Sequence, residues 1–379
     1  MSELIWRQAA ADHQNRIYEL LRPGLTDSAH ALNSGKHRRV VLANSTQIVI
    51  PEKISRWTAL NPQHPVYNFL IEYYGLKGIK GVKRLARWSP KPEGDGILLE
   101  GATQDDLVAS TLHLRGAVLQ DDGILYSPST FFSSKDVDDD ATMIRAAAPY
   151  LWYRAVLQQT LAAEPVLHCH GLHEWAMQYQ PAGAPEPASA KYQSHLLLRV
   201  DRAVINEAVE RKGVRCTHVD ALRYFAPAAA VLNHHGAVLQ RMDQLRLEQP
   251  ACVHAHMDLL KLALRLEPFC DAVLLHRVLE VALSARSLDV AASPYDATMY
   301  GVGIVPIETE AGRAEYRLRQ AELMRTAEPV RRDLLQAYDD FLGSAFSPEI
   351  LERANQSPAE ERFAKAEPGG LPWRKNLVK

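Results

Sequence analysis

Between Pro250 and Pro268 the apolar and polar positions sort onto separate helical faces. At 3.6 residues per turn, Val253, Met257, Leu260 and Leu264 form one stripe, while His254, Asp258, Lys261 and Arg265 stack along another. The pattern predicts a helix that opens just after Gln249–Pro250 and runs to about Glu267. An imidazole, a carboxylate and an ammonium on successive turns can tune one another's protonation and line a polar pocket. The plainer alternative is a solvated face with an i,i+4 ion pair.

The same periodicity makes the last third of the chain mostly helical: about 252–267, 271–286 and 310–345, with Pro268 between the first two. Ser293–Pro294–Tyr295–Asp296 is a turn by composition. Near the start, a helix from Glu3 to about Leu21 is broken by Pro23–Gly24, and strand-like pieces follow at Val40–Ala43 and Gln47–Ile50. Pro65 suits the first turn of an aromatic helix ended by Gly75, whose stripe Val66, Phe69, Leu70 and Tyr73 reads as core. Residues 97–134 are irregular. The acidic run Asp136 and Asp138–Asp140 reads as a helix entry. It leads into a long buried helix over Thr142–Ala163 that Pro149 kinks or restarts. Pro181–Ala190 is a linker. Strands are expected at His195–Val200 and Arg215–Val219, with Asp201 capping a helix between them that ends at Gly213. The fold class that results is α+β, helix-dominated, with a few short strands, as one large domain or two closely packed ones. Residues 1–60 read as an N-terminal extension, 61–350 as the main domain carrying the His/Asp site, and 351–379 as a loose tail.

Composition narrows the function. A net charge of −2 over 379 residues is no footprint for tight binding to a phosphate backbone. The four cysteines, Cys169, Cys216, Cys252 and Cys270, include no CxxC pair, which argues against a disulfide scaffold. Glu3, Arg7, Asp12 and Arg16 interrupt any signal-peptide core, and no run of 18 apolar residues exists, so a cytoplasmic location away from membranes is expected.

Three further segments carry candidate chemistry. His168, His170 and His173, followed by Glu174, supply several imidazoles in the manner of zinc or iron sites, although the spacing is not HExxH. If Thr217–Arg223 is extended, His218 and Asp220 point to one face, where a carboxylate fixes the imidazole tautomer for acid–base work; ion pairing of Asp220 with Arg223 is the competing reading. Arg286, Asp289 and Asp296 flank the Ser–Pro–Tyr turn. There they can hydrogen-bond the edge of a polar heterocycle while Tyr295 stacks on its face. His234 and His235 are assigned no role.

Several blocks, in order, resemble a bacterial family of 3-methyladenine DNA glycosylase-like proteins. They are Gly171–Met177 (GLHEWAM), Cys216–Ala221 (CTHVDA), Gln249–Leu259 (QPACVHAHMDL) and Ala292–Asp296 (ASPYD), joined by His64–Tyr74 and Arg87–Trp88. The likeness spans about residues 60 to 345. Its pattern matches His173, Glu174, His218, Asp220, His254 and Asp258, and differs at His168, His170 and His256. The resemblance implies hydrolysis of an N-glycosidic bond to a purine-like base, in a nucleoside or in DNA, without a cofactor. Asp258 or Asp220 would then be the working carboxylate, assisted by His218 and Glu174, with His173, His254, Arg223, Arg286, Tyr295 and Asp296 binding the substrate. Two alternatives stand beside it. One is a metal-dependent enzyme acting on a small molecule, holding zinc or iron through His173, His218, His254 and Asp258. The other is a non-catalytic binding protein.

Overall fold

A computed structural model describes residues 1–26, 37–41, 47–51, 57–91, 96–108, 111–127, 130, 139–187 and 193–356. Helix accounts for 58% and strand for 6%, so the protein is a helix-dominated α+β fold. Helix α1 (Glu3–Leu21) places Trp6, Ala10, Ile17 and Leu21 on one buried stripe against the long helix of residues 272–291. The segment read as an N-terminal extension therefore contributes to the same hydrophobic core, which runs from Trp6 to Ala354. Strands β1 (His37–Val41) and β2 (Gln47–Pro51) form an antiparallel hairpin with Val40 opposite Ile48.

Short helices α2 (Asn68–Glu72) and α3 (Gly78–Leu85) follow. Then come β3 (Ile97–Glu100), α4 (Gln104–Val108), β4 (Val118–Gln120) and β5 (Gly123–Tyr126). The three strands make an antiparallel sheet in the order β3-β5-β4, in a region read from the sequence as irregular. Strands of three or four residues are too short to show a period of two. Their burial of Leu99, Ile124 and Tyr126 is decided by packing.

Helix α5 (Asp140–Ala162) starts as expected, with the Asp139 carboxylate accepting the Thr142 N–H at 2.7 Å. Pro149 lies inside this one helix, which is not restarted there. A mid-helix proline costs about 3 kcal/mol, and the buried run Ala146–Tyr153 on both sides of it offsets that cost. Helices α6 (Leu172–Gln178), α7 (Arg202–Glu210), α8 (Val219–Leu222), α9 (Pro227–Ala230) and α10 (Gln244–Leu247) are short. Of the two expected strands, 195–200 reduces to a single bridge, Leu198 with Tyr295, closed by the Arg199 N–H to the Pro294 carbonyl at 2.9 Å, and 215–219 carries none among the described residues, the neighbouring bridge being Val214 with Asn233. The Cys216 N–H goes instead to Asn233 Oδ1 at 2.9 Å.

The frame for the site is α11 (Val253–Leu266) packed between α12 (Ala272–Ala291) and α13 (Glu310–Ala345), with α13 and α14 (Pro348–Gln356) also against α5. Helix α12 runs five residues past its expected end, which aligns Asp289 with Arg286 one turn earlier. Part of the expected tail, 351–356, is helical, and the rest lies outside the described residues. No helix among the described residues is long and apolar enough to cross a membrane.

Candidate active site

Helix α6 begins at a sharp change of chain direction. His170 (φ 47°) and Gly171 (φ 69°) are both left-handed. Glycine takes that conformation without strain, and a Cβ there would stand 3.2 Å from the Ala292 Cβ. The turn sends His173 and Glu174 inward on the first turn of α6, and the Trp175 indole N–H locks the helix to the Ala292 carbonyl at 2.8 Å. His173 Nε2 lies 2.6 Å from Asp289 Oδ1. The Arg286 guanidinium joins Glu174 Oε1 (2.8 Å) to Asp289 Oδ2 (2.5 Å) and also donates to the Pro65 carbonyl at 3.1 Å. Burial opposes charge on His173, but the Asp289 carboxylate outweighs it and raises the imidazole pKa. Asp289 is held well below the usual carboxylate range, because His173 and Arg286 overcome its burial.

A second cluster forms where residue 218 caps α8. The His218 Nδ1 accepts the Asp220 backbone N–H at 3.2 Å, so in the neutral ring the proton sits on Nε2. Nε2 faces Asp258 Oδ2 at 3.4 Å and Glu248 Oε2 at 3.6 Å. Burial again opposes the imidazolium, and these carboxylates reverse the balance and raise the His218 pKa. The two acids are driven apart. Burial raises the Glu248 pKa, whereas Lys261 (3.5 Å), His218 and Arg241 overcome burial at Asp258 and hold it well below its ordinary range. Asp220 is clasped by Arg241 at 2.5 and 2.6 Å. The expected pairing of His218 with the Asp220 carboxylate is therefore replaced: the Asp220 amide fixes the tautomer, and its carboxylate turns to arginine.

His254 stands between the clusters. Its ring centre is 4.5 Å from that of His173, edge-on, and 5.2 Å from that of His218, stacked. Burial between two imidazoles of raised pKa pushes the His254 pKa well below its ordinary value, so this ring is neutral. Three histidines from separate segments thus meet. In front of them opens a cavity of about 510 Å³, lined by His254, Asp258, Lys261, Glu174 and Arg286, with Tyr73 and Tyr224 among its wall residues. That volume falls within the range of small-molecule sites. The stripe of α11 accordingly faces a cavity, not bulk solvent.

No family model, curated protein or solved structure matches the chain.

Of the residues singled out in the sequence, Glu174, Asp220, Arg223, His254, Asp258 and Arg286 line the cavity, while His173 and His218 lie directly behind His254. Others do not join them. Tyr295 is buried, with its hydroxyl accepting from Gln178 at 2.9 Å. Asp296 is exposed and closes its own turn on the Thr298 N–H at 2.9 Å. The heterocycle clamp expected from Arg286, Tyr295 and Asp296 is thus overturned for the last two. The HxHxxH group also fails to converge, because the left-handed turn leaves His168 exposed and His170 beside Tyr316. His256 faces away from the cavity, with Arg331 at 3.2 Å. Tyr73, read as core, is 46% exposed.

The expected four-ligand metal set does not fit. His218 already spends its Nδ1 lone pair on an amide, so a neutral ring has none left at Nε2. Sequence reasoning also missed Glu248, Gln244, Arg241 and Tyr224. None sits in a periodic pattern with the others: Tyr224 follows α8, and Arg241, Gln244 and Glu248 lie in or beside the short helix α10, so only the packing of these short segments brings them in.

Proposed function

We propose that this cavity is the active site of a hydrolase that cleaves the N-glycosidic bond of a purine-like base, the reaction implied by the glycosylase-like resemblance. One observation carries the reading: on adjacent turns of α11, Asp258 is held ionised and His254 is held neutral, both facing the same cavity. Departure of a base leaves cationic character on the sugar, which an ionised carboxylate stabilises, and attack by water calls for a group that accepts its proton. Asp258 suits the first role, and the neutral His254 ring offers the water a hydrogen-bond acceptor, though a weaker base than an unperturbed imidazole. Tyr73 and Tyr224, with ring centres 6.2 Å apart, offer aromatic surface for a flat base. Asp220 is held by Arg241 and approached by Lys261 at 3.7 Å, which suits it to positioning those cations. The four free thiols suit a reducing compartment such as the cytoplasm. The test is release of free base from alkylated DNA and from N-methylated purine nucleosides. Release that stops in Asp258→Asn supports the reading, and no release by the wild-type chain ends it.

A metal-dependent reaction keeps two clusters in its favour, one of them His218, Glu248 and Asp258, which the His218 tautomer opposes. His173, Glu174 and Asp289 each offer a ligand atom within 4.8 Å of the others, and His173 Nε2 and Asp289 Oδ1 are buried without a well-formed hydrogen bond. Against it, Arg286 already supplies a cation to both acids. Metal analysis of untagged protein decides between the two: below about one-tenth of an equivalent, the metal reading is finished.

A further inference from the structure

Cationic side chains outnumber carboxylates around the cavity, and most of them are matched. Arg241 and Lys261 face Asp220 and Asp258. Arg286 holds Glu174 and Asp289. Arg84 donates to Glu267 Oε2 at 2.8 and 2.7 Å and to the Leu264 carbonyl at 3.1 Å. Arg265, in the last turn of α11, has no such partner. Its Nη1 is shut off from solvent and makes no hydrogen bond, and no carboxylate among the described residues pairs with it. The ionisable groups that sense it include the phenols of Tyr150 and Tyr338, which burial keeps neutral at ordinary pH. Favourable placement at a helix C-terminus explains a cation in this turn. It does not satisfy a buried N–H, which costs free energy until an acceptor arrives.

Resting on the glycosidic reading of the cavity, we infer that Arg265 forms an anion subsite for a phosphate group of the substrate, so that the ligand is a phosphorylated nucleoside or a nucleotide unit. A guanidinium offers a planar fork of donors that matches phosphate oxygens. Asp258 and Arg265 are seven positions apart on one helix, about 10 Å along its axis. A reacting bond beside Asp258 and a phosphate at Arg265 are therefore spaced to be held by one face of α11.

The test compares adenosine, adenosine 5′-monophosphate and an alkylated single-stranded oligonucleotide by calorimetry, in wild type and Arg265→Gln. Wild type is expected to bind the monophosphate about ten- to a hundredfold more tightly than adenosine, a charge-assisted gain that Arg265→Gln removes while adenosine affinity stays the same. A gain shown by the oligonucleotide and not by the monophosphate assigns the phosphate to a nucleic-acid backbone, and the reverse assigns it to a free nucleotide. A gain that survives intact in Arg265→Gln overturns the subsite. Inorganic phosphate gives an independent arm. At matched ionic strength it should raise the Tm of wild type and compete with the monophosphate, and absence of both effects overturns the subsite even if the variant does not fold. If phosphate acts through Arg265 but no purine ligand binds, the anion subsite stands and the purine reading fails.

Discussion

The two imidazole–carboxylate clusters on either side of His254 use the same residue types to different ends. Around His173, one buried guanidinium holds both acids and a backbone carbonyl, so the charges balance internally and the geometry is closed. Around His218 the counter-charges are Lys261 and Arg241, both partly exposed and both lining the cavity. Both clusters reach the cavity wall, the first through Glu174 and Arg286, and the difference is in how the charges are used: the first spends them holding α6 against α12, and the second presents an ionised carboxylate to whatever enters.

If that contrast is right, the largest effect belongs to Asp258→Asn, which should lower base release by about 10²- to 10⁴-fold per folded molecule. Arg286→Ala should act first on stability. Removing one member of a buried charge network costs about 3–5 kcal/mol, read as a lower urea midpoint. A benign Arg286→Ala would erase the distinction between the clusters.

Stability against pH sharpens it further. His173 and His218 have raised pKa values, so what they contribute is fully present below the unfolded value of about 6.5 and is lost as pH climbs through their folded values. Buried His13, lowered to about 4, and His254 and His256, both lowered well below the ordinary imidazole value by burial, act in the other sense. Below about 6.5 the unfolded chain takes up protons that the folded one refuses, so stability falls with pH. The expected profile peaks near pH 6.5, each fully shifted histidine contributing up to about 1.4 kcal/mol per pH unit on its side. Urea midpoints that climb steadily from pH 5 to 8.5 would contradict it. The smallest effect is expected from Tyr73→Ala, whose lost stacking is worth about 0.5–1.5 kcal/mol, seen in KM with kcat nearly unchanged.

Much of the helical frame was legible beforehand. Helices α1, α11 and α13 lie within a residue of their expected ends, because each carries a long amphipathic pattern bounded by proline, glycine or a capping side chain. The grouping of His254, Asp258, Lys261 and Arg265 on one face also followed from spacing alone. The small sheet did not, since its strands are too short to have a period. Nor did the roles of Tyr295, Asp296 and Glu248, which depend on how loops cross between helices.

What the chain determined by itself is local: which residues share a helix face, and where helices stop, since both follow from backbone geometry and side-chain spacing. Only the tertiary structure decided that His173, His218 and His254 meet, that Arg286 ties Glu174 to Asp289, and that Arg265 is left without an acid among the described residues. Those outcomes depend on long-range packing and on the desolvation that comes with it. The same imidazole is neutral at 254, buried beside two rings 36 and 81 residues away, and of raised pKa at 173, beside a carboxylate 116 residues away.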